Sequence, residues 1–262
     1  MLLATWNVNS IRARADRVVG WLERTGVDVL AMQETKCRDD QFPYLAFEAA
    51  GYEVAHAGKN QWNGVAVASR IGIDDVEVGF AGQPAWGDPP VREARALGAT
   101  CGGVRLWSLY VPNGRELADP HYVYKLAWLD ALRAAAGGWL AANPAVQIAL
   151  AGDWNIAPRD EDVWDMAEFV GSTHVSEPER AAFAAFVEAG YVDPVRDRVP
   201  GMFTYWDYKQ LSFPKGKGMR IDFALTSPAL AERVVDARIE RNERKGKAPS
   251  DHVPVVLEIA DA

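Results

Sequence analysis

Carboxylates, amides and one histidine recur in this chain at the ends of short apolar runs. Leu2-Leu3-Ala4-Thr5-Trp6 leads into Asn7. Val27 to Gln33 leads into Glu34-Thr35-Lys36, and Val104 to Leu109 into Tyr110-Val111-Pro112-Asn113-Gly114. Val146-Gln147-Ile148-Ala149-Leu150 leads into Gly152-Asp153-Trp154-Asn155, and two further polar sets are Arg220-Ile221-Asp222 and Ser250-Asp251-His252. Ending in Asn, Glu or Asp does nothing for a strand's core; the pattern makes sense if those ends converge. Carboxylates and amides with a single histidine suit a hard divalent cation such as Mg²⁺. They do not suit zinc, for which the two cysteines and four histidines show no ligand spacing. A divalent ion beside a His–Asp pair is equipment for hydrolysing a phosphodiester. The ion offsets phosphate charge, a carboxylate positions water, and neutral donors stabilise the pentacovalent state.

Each residue alone fits a plainer role. Asp153 closes a strand with an Asx-turn, Glu34 caps a surface element, Tyr110 edges a core, Asp222 pairs with a base and His252 is structural. The weight lies in the set and in the elements that must position it. Leu2 to Asn7 reads as a central strand, followed by a helix with Ser10 as N-cap and Gly26 as its stop. With the strand to Gln33 this makes a βαβ opening. A helix is expected around residues 43–50, paired strands at 52–55 and 64–68, loop at 82–90, and a strand pair about Gly102-Gly103. A long helix is expected from about Pro120 to Ala142, carrying Tyr124, Trp128, Leu129 and Leu132. Gly152 is expected to turn the chain sharply, leaving Asp153 on a loop. A second half then repeats the first: apolar strand, Trp-Asn pair, helical segment. A helix is expected over 178–190, a strand ending around Asp222, and strands at Val234 to Ile239 and Val255 to Ile259. The expected fold is α/β: a four-layered sandwich of two facing mixed sheets flanked by helices, with residues 1–262 as one domain.

The chain has 262 residues, enough for a sizeable core. Two cysteines, Cys37 and Cys101, do not make a disulfide scaffold, and no signal peptide or membrane-spanning run is visible, so a cytoplasmic protein without a membrane partner is expected. No Gly-rich phosphate loop of either standard form is present. The net charge of −8 argues globally against nucleic acid. The charge is uneven, however: Lys209, Lys215, Lys217 and Arg220 face only Asp207 in residues 203–220, and Arg241, Arg244, Lys245 and Lys247 face only Glu243 in 241–247. An acidic body with such strips can hold DNA there, or the strips are merely solvated surface. Ten tryptophans are many, and a surplus suggests exposed stacking surfaces.

Six motifs in order (Asn7, Gln33-Glu34-Thr35-Lys36, Tyr110-Val111-Pro112-Asn113-Gly114, Gly152-Asp153-Trp154-Asn155, Arg220-Ile221-Asp222 and Ser250-Asp251-His252) resemble exonuclease III, within the endonuclease/exonuclease/phosphatase superfamily. The resemblance runs from residue 2 to about 259. It implies Glu34 as principal Mg²⁺ ligand, with Mn²⁺ as a substitute, Asn7 beside it, Asp251 near the metal, and Asp153 and Asn155 also around the ion. It implies that Asp153 orients or deprotonates the attacking water and that Asn155 and Tyr110 bond the scissile phosphate. His252, held by Asp222, binds the phosphate or acts as base; the resemblance leaves this open. Pairing with Asp222 would raise the His252 pKa and favour phosphate binding. Lys36 and Asn113 touch phosphate or shape turns. His56, His121 and His174 are read as non-catalytic.

The segment Phe203-Thr204-Tyr205-Trp206-Asp207-Tyr208-Lys209, running on to Met219, resembles the family's aromatic loop beside a pocket for a flipped-out abasic sugar. By that resemblance Tyr205 and Trp206 wall the pocket, Trp206 closes it, and Met219 wedges into the duplex. A pocket walled by aromatics accepts a bare deoxyribose and excludes a base. Two departures stand out: Asn9 where some members carry Asp, and Tyr205 where Trp is common. Val91-Arg92-Glu93-Ala94-Arg95 matches a family stretch only partly and is given no role. The implied protein is a monomeric Mg²⁺-dependent repair nuclease acting on double-stranded DNA with abasic sites or 3′ blocks. The alternatives are a phosphoesterase of the same fold acting on inositol or lipid phosphates or RNA, and a non-catalytic DNA-binding module.

Overall fold

A computed structural model describes residues 1–261. Its two mixed sheets lie face to face. One has the strand order β10-β11-β1-β2-β4-β3, from β1 (Leu2–Asn7), β2 (Val29–Gln33), β3 (Glu53–Ala57), β4 (Val65–Ser69), β10 (Val234–Ile239) and β11 (Val255–Ile259). The other runs β5-β6-β7-β8-β9, from β5 (Asp74–Val78), β6 (Ala96–Cys101), β7 (Val104–Tyr110), β8 (Ile148–Asp153) and β9 (Asp222–Thr226). Helices α1 (Ile11–Thr25) and α2 (Tyr44–Ala49) cover the first sheet; α3 (Pro120–Ala142) and α4 (Glu177–Glu188) cover the second. The short α5 (Pro228–Ala231) precedes β10. The expected four-layered α/β sandwich is the fold found. No described helix is long and apolar enough to cross a membrane.

Strand periodicity explains the layers. Side chains alternate between faces, so Ala4 and Trp6 meet α1 while Leu3 enters the core between the sheets. Likewise Ile148 and Leu150 meet α3, and Ala149 and Ala151 face the other sheet. Small residues on the facing sides let the sheets approach. Along these inward rows the chemistry changes in one direction. Leu3 gives way to Thr5 and Asn7; Val29 and Ala31 to Gln33; Leu106 to Ser108 and Tyr110; Ala149 and Ala151 to Asp153. A polar layer follows the apolar one: Gln33 Nε2 donates to Ser108 Oγ at 3.0 Å, and Ser108 Oγ donates to the Met32 carbonyl at 2.8 Å. Buried polar groups of this kind must be paired, and here they are.

Three expectations about the elements change. Asp153 is the last residue of β8, not the start of a loop. Gly152 does not turn the chain: a Cβ there would collide with the Leu109 carbonyl, so it serves the close approach of β7 and β8. Asp222 begins β9 rather than ending a strand. Because β9 runs antiparallel to β8, its start lies beside β8's end, with Asp153 opposite Asp222. Ser10 sits at the N-cap of α1 without a side-chain cap bond. The open N–H groups of Ser10 and Ile11 instead reach the carbonyls of Glu34 and Thr35, at 2.7 and 3.0 Å. The start of α1 is thereby tied to the loop after β2. Strand β5 was not expected: its five residues are all exposed at a sheet edge, and its one short alternation, Val76-Glu77-Val78, buries neither valine. The tryptophan surplus is mostly core, since Trp6, Trp21, Trp107, Trp128, Trp154 and Trp206 are fully buried.

Candidate active site

The polar ends of the inward rows form one cleft. Register aligns them: Asn7 opposite Gln33 in one sheet, and Tyr110, Asp153 and Asp222 side by side in the other. Asn7 Nδ2 bridges the sheets, donating to Glu34 Oε1 at 2.7 Å and to Asp153 Oδ2 at 2.9 Å. Asp153 Oδ1 accepts the Asn155 N–H at 2.9 Å, and Asn7 Oδ1 accepts the Asn9 N–H at 3.0 Å. The two halves do repeat, but as matched Asx-turns at Asn7 and Asp153 rather than as Trp-Asn pairs. The turn reading of Asp153 and the site reading hold together, one carboxylate oxygen serving each.

His252 Nδ1 lies 2.8 Å from Asp222 Oδ2, and its Nε2 points to Asp153 Oδ2 at 3.8 Å. Its backbone is held by Ser250, whose Oγ accepts the His252 N–H and donates to the Asn7 carbonyl. Thr204 Oγ1 accepts the N–H groups of Ile221 and Asp222, both at 3.1 Å, fixing the partner of the histidine. Glu34, Asp153 and His252 each bring a ligand atom within 4.8 Å of the others. Burial of the His252 ring would depress its pKa, but Asp222 and Asp153 raise it to about 10, leaving an imidazolium. Asp153 is pushed up, first by burial, then by the nearby Asp222 and Glu34 charges against the pull of His252. For Glu34 burial acts upward, but Lys36 and the bond from Asn7 bring the net shift below the usual range. Tyr110 is raised well above its ordinary value by burial and by Glu34, so it stays a phenol and a donor.

A half-buried and a buried carboxylate drawn together by one amide, the buried one resisting ionisation, are a donor set suited to a divalent cation. Hard oxygens from Glu34 and Asp153 fit that need; Asn7, expected beside the metal, turns its Nδ2 to both carboxylates and its Oδ1 to the Asn9 N–H, so it orients the ligands instead of joining them, and His252, an imidazolium paired with Asp222, does not supply a metal-binding lone pair. Asp251 stands outside the group, with Oδ1 accepting from Asn9 Nδ2 at 2.9 Å. Asn155 is turned away from Glu34: its Nδ2 donates to the Val111 carbonyl at 3.0 Å, and its Oδ1 accepts from Asn113 Nδ2 at 3.2 Å. Lys36 pairs with Glu34 Oε2 at 2.7 Å.

The aromatic loop departs further from expectation. Trp206 is 1% exposed and packs in the core against Phe203 and Phe213, so it cannot close a pocket. Met219 is 9% exposed and clusters with Val163 and Ile221, so it lines a wall instead of projecting as a wedge. Tyr205 does reach the site, its ring 4.9 Å from that of His252. Tyr205, Met219, Trp164, Phe169 and Lys217 line a cavity of about 210 Å³, with Lys217 Nζ 3.9 Å over the Trp164 ring. Of the basic strips, Arg244 is buried against Trp206 and Tyr208, while Lys209, Lys215, Lys245 and Lys247 are exposed.

Sequence reasoning missed four supports. Arg95 lies 4.7 Å over the Tyr110 ring. The buried ammonium of Lys125 pairs with Glu179 and donates to the carbonyls of Asn155 at 2.7 Å and Asn113 at 3.2 Å. Lys125 was legible, since it shares the buried face of α3 with Tyr124, Trp128, Leu129 and Leu132. His174 Nε2 lies 3.1 Å from Asn155 Oδ1. Thr204, within the loop, gave no signal.

The sequence and the coordinates both match known proteins. The model of the endonuclease/exonuclease/phosphatase family matches residues 4–252. Exodeoxyribonuclease III of Haemophilus influenzae is 29% identical over 98% of this chain and 99% of its own. The structure of the 3′ phosphatase NExo from Neisseria, bound to product DNA hairpin, superposes with a TM-score of 0.93 at 33% identity, covering all of both chains. An AP endonuclease from Archaeoglobus fulgidus gives 0.91 at 34% identity, with 99% of each chain covered. With its sheet ends, its acid–amide–histidine cleft and these matches in accord, the chain belongs to the endonuclease/exonuclease/phosphatase family.

Proposed function

We propose that this protein is a metal-dependent DNA repair nuclease that hydrolyses the phosphodiester 5′ to abasic sites in duplex DNA. In the same site it removes 3′-phosphates, other 3′ blocks and 3′-terminal nucleotides. The observation that carries the reading is the convergence of Asn7, Glu34, Asp153 and the Asp222–His252 pair in one cleft. Mg²⁺, or Mn²⁺ in its place, held by Glu34 and Asp153 with Asn7 orienting both carboxylates, would neutralise charge on the phosphate. Asp153 takes the proton of the attacking water, a task for which a carboxylate shifted upward is suited. The His252 imidazolium and the Tyr110 hydroxyl donate to the phosphate oxygens, and Asn155, braced from behind by Lys125, adds an amide donor. Asp222 keeps His252 charged and oriented. Asn113 and Lys36 hold Asn155 and Glu34 from outside.

The cavity at Tyr205 supports an abasic substrate: Trp164, Phe169, Tyr205 and Met219 supply apolar wall, Asp207, Gln210, Ser212 and Lys217 supply groups for sugar hydroxyls, Tyr205 joins the cavity to His252, and about 210 Å³ suits a sugar better than a nucleotide. The named activities of the Haemophilus, Neisseria and Archaeoglobus proteins point to the same class of substrate. The reading takes the chain as one catalytic domain, which the core shared by both sheets supports. It also takes the protein as a monomer in a reducing cytoplasm, consistent with two unpaired buried thiols. The test is a duplex with one abasic site, incubated with Mg²⁺ or with chelator. Incision leaving a 3′-hydroxyl, lost with chelator and in Glu34→Gln, is expected. An intact duplex alongside turnover of a phosphoinositide would replace this reading with the lipid-phosphate one.

A further inference from the structure

Lys125 stands on the buried face of α3, and its side chain has no access to solvent. An ammonium has three hydrogens to give, and here they meet three acceptors: a carboxylate oxygen of Glu179, the Asn155 carbonyl at 2.7 Å and the Asn113 carbonyl at 3.2 Å. The stem is confined as well, since Gly114 packs so close that a Cβ there would lie 3.1 Å from Lys125 Cδ. Glu179 is held in turn: its second oxygen accepts the Ser176 N–H at 3.2 Å and the Ser176 hydroxyl, at the start of α4. One cation thus joins α3 and α4 to the segments that follow β7 and β8. Burying a charged pair seldom adds net stability over an apolar pair of the same size. What an apolar pair could not do is grip two carbonyls.

The Asn155 side chain has little freedom of its own. Its Oδ1 lies 3.2 Å from Asn113 Nδ2 and 3.1 Å from His174 Nε2, which uses both lone pairs. Its Nδ2 gives one hydrogen to the Val111 carbonyl at 3.0 Å, which leaves one for a substrate. The direction of that last hydrogen is set by where the Asn155 main chain is held. The N–H is on Asp153 Oδ1 at 2.9 Å and the carbonyl is on Lys125. We propose that Lys125, anchored by Glu179, is a positioning residue for the hydrolysis: by holding the carbonyls of Asn113 and Asn155 it sets the segments after β7 and β8 against each other and aims the Asn155 amide at the phosphate. This rests on the assignment of Asn155 to the scissile phosphate made above. The pair is kept for rate and not for stability.

The experiment is single-turnover incision of the abasic duplex with Mg²⁺ by the full chain, fitted for the rate at saturating enzyme and for the enzyme concentration at half-saturation. Wild type is compared with the pair variant Lys125→Met, Glu179→Gln, with Asn155→Ala, and with all three changes together. Glu179→Gln keeps an acceptor for Ser176 and leaves no stranded charge; thermal melting gives the folded fraction. The pair variant should lose about 10- to 100-fold in saturating rate per folded molecule, the scale of a misplaced group, with half-saturation within about threefold of wild type. In the Asn155→Ala background the same pair of changes should cost less than about threefold, because the residue it acts through is gone. Three results would make Lys125 merely structural and leave the nuclease reading standing: an unchanged rate per folded molecule, a loss seen in half-saturation instead of rate, or a loss of full size in the Asn155→Ala background. A wild type that leaves the duplex intact would overturn that reading and the inference together. Should the pair variant not fold, Glu179→Gln alone takes its place. A loss above about threefold that vanishes in the Asn155→Ala background is then expected, and unchanged incision overturns the inference.

Discussion

At one end of the cleft the functional side chains stand on strands; at the other they stand on a loop. Asn7, Tyr110, Asp153 and Asp222 occupy one layer of two sheets, and ladder hydrogen bonds fix their order. Tyr205, Trp206 and Met219 belong to the segment between α4 and β9, which is tied down by a few isolated bridges to Met219 and His252. Strand register makes a residue's face a matter of parity: a one-residue slip would turn the whole row over. The loop has no such rule. Neighbours in it point to different places, Tyr205 to the cleft and Trp206 to the core. A shared aromatic character therefore says little about shared duty.

The strongest way to break this contrast is to strip one function from each end. Asp153→Asn keeps the shape and the Asx-turn but removes the proton acceptor. Incision of an abasic duplex should fall by about 10³- to 10⁴-fold, with thermal stability close to wild type. Residual cleavage within tenfold of wild type would remove Asp153 from the chemistry. Trp206→Ala should do the opposite. Truncating a buried aromatic costs about 3–5 kcal/mol, read as a lower melting temperature or denaturation midpoint. Activity per folded molecule, measured well below the melt, should change little. A Trp206→Ala protein of normal stability that has lost abasic cleavage would return Trp206 to the pocket.

Asp222→Asn sharpens the strand side. His252 has its pKa raised from an ordinary 6.5 to about 10. A group raised on folding contributes stability that is complete below 6.5 and is lost as pH climbs through about 10. The stability gap between wild type and Asp222→Asn should therefore shrink across that window. Incision should fall about 100-fold at neutral pH. Without the carboxylate, burial acts to lower the His252 pKa. Against the remaining pull of Asp153 its charge is then lost at lower pH than in wild type, and the limb of falling activity with rising pH should move down accordingly. Activity that rises with pH in the variant would make His252 a base instead of a phosphate donor.

How much was legible follows the same division. Short apolar runs marked β1, β2, β7 and β8, and their polar ends marked the site. The sequence carried no direction for β9, so Asp222 was read at a strand's end when it stands at a beginning; both place it at the same mouth because β9 is antiparallel. Gly152 was noticed for the wrong reason, since the carbonyl it must accommodate belongs to Leu109, far away in the chain. Asp251 was placed near the metal by resemblance alone, and its partner in the structure, Asn9, is 242 residues distant. Lys125 could have been found from helix periodicity alone: a lysine on an apolar face needs a buried partner. That the partner is Glu179 was not visible, because nothing local to α3 names α4.

The smallest effect tests whether the loop contributes one residue to recognition. Tyr205 presents its ring to His252 on one side and lines the cavity with Met219 on the other. Its phenol is held far above the ordinary range by burial and by Asp251 and Asp207, so it remains neutral and stacks without adding charge. Tyr205→Ala should weaken cleavage of an abasic duplex by about tenfold, the scale of one lost stacking contact. Tyr205→Phe should restore most of that loss, since the ring does the work. Removal of a 3′-phosphate, which places no sugar in the cavity, should change by less than the abasic reaction does. Equal losses on both substrates would mean that Tyr205 merely props His252, and the cavity would then have no part in choosing what is cut.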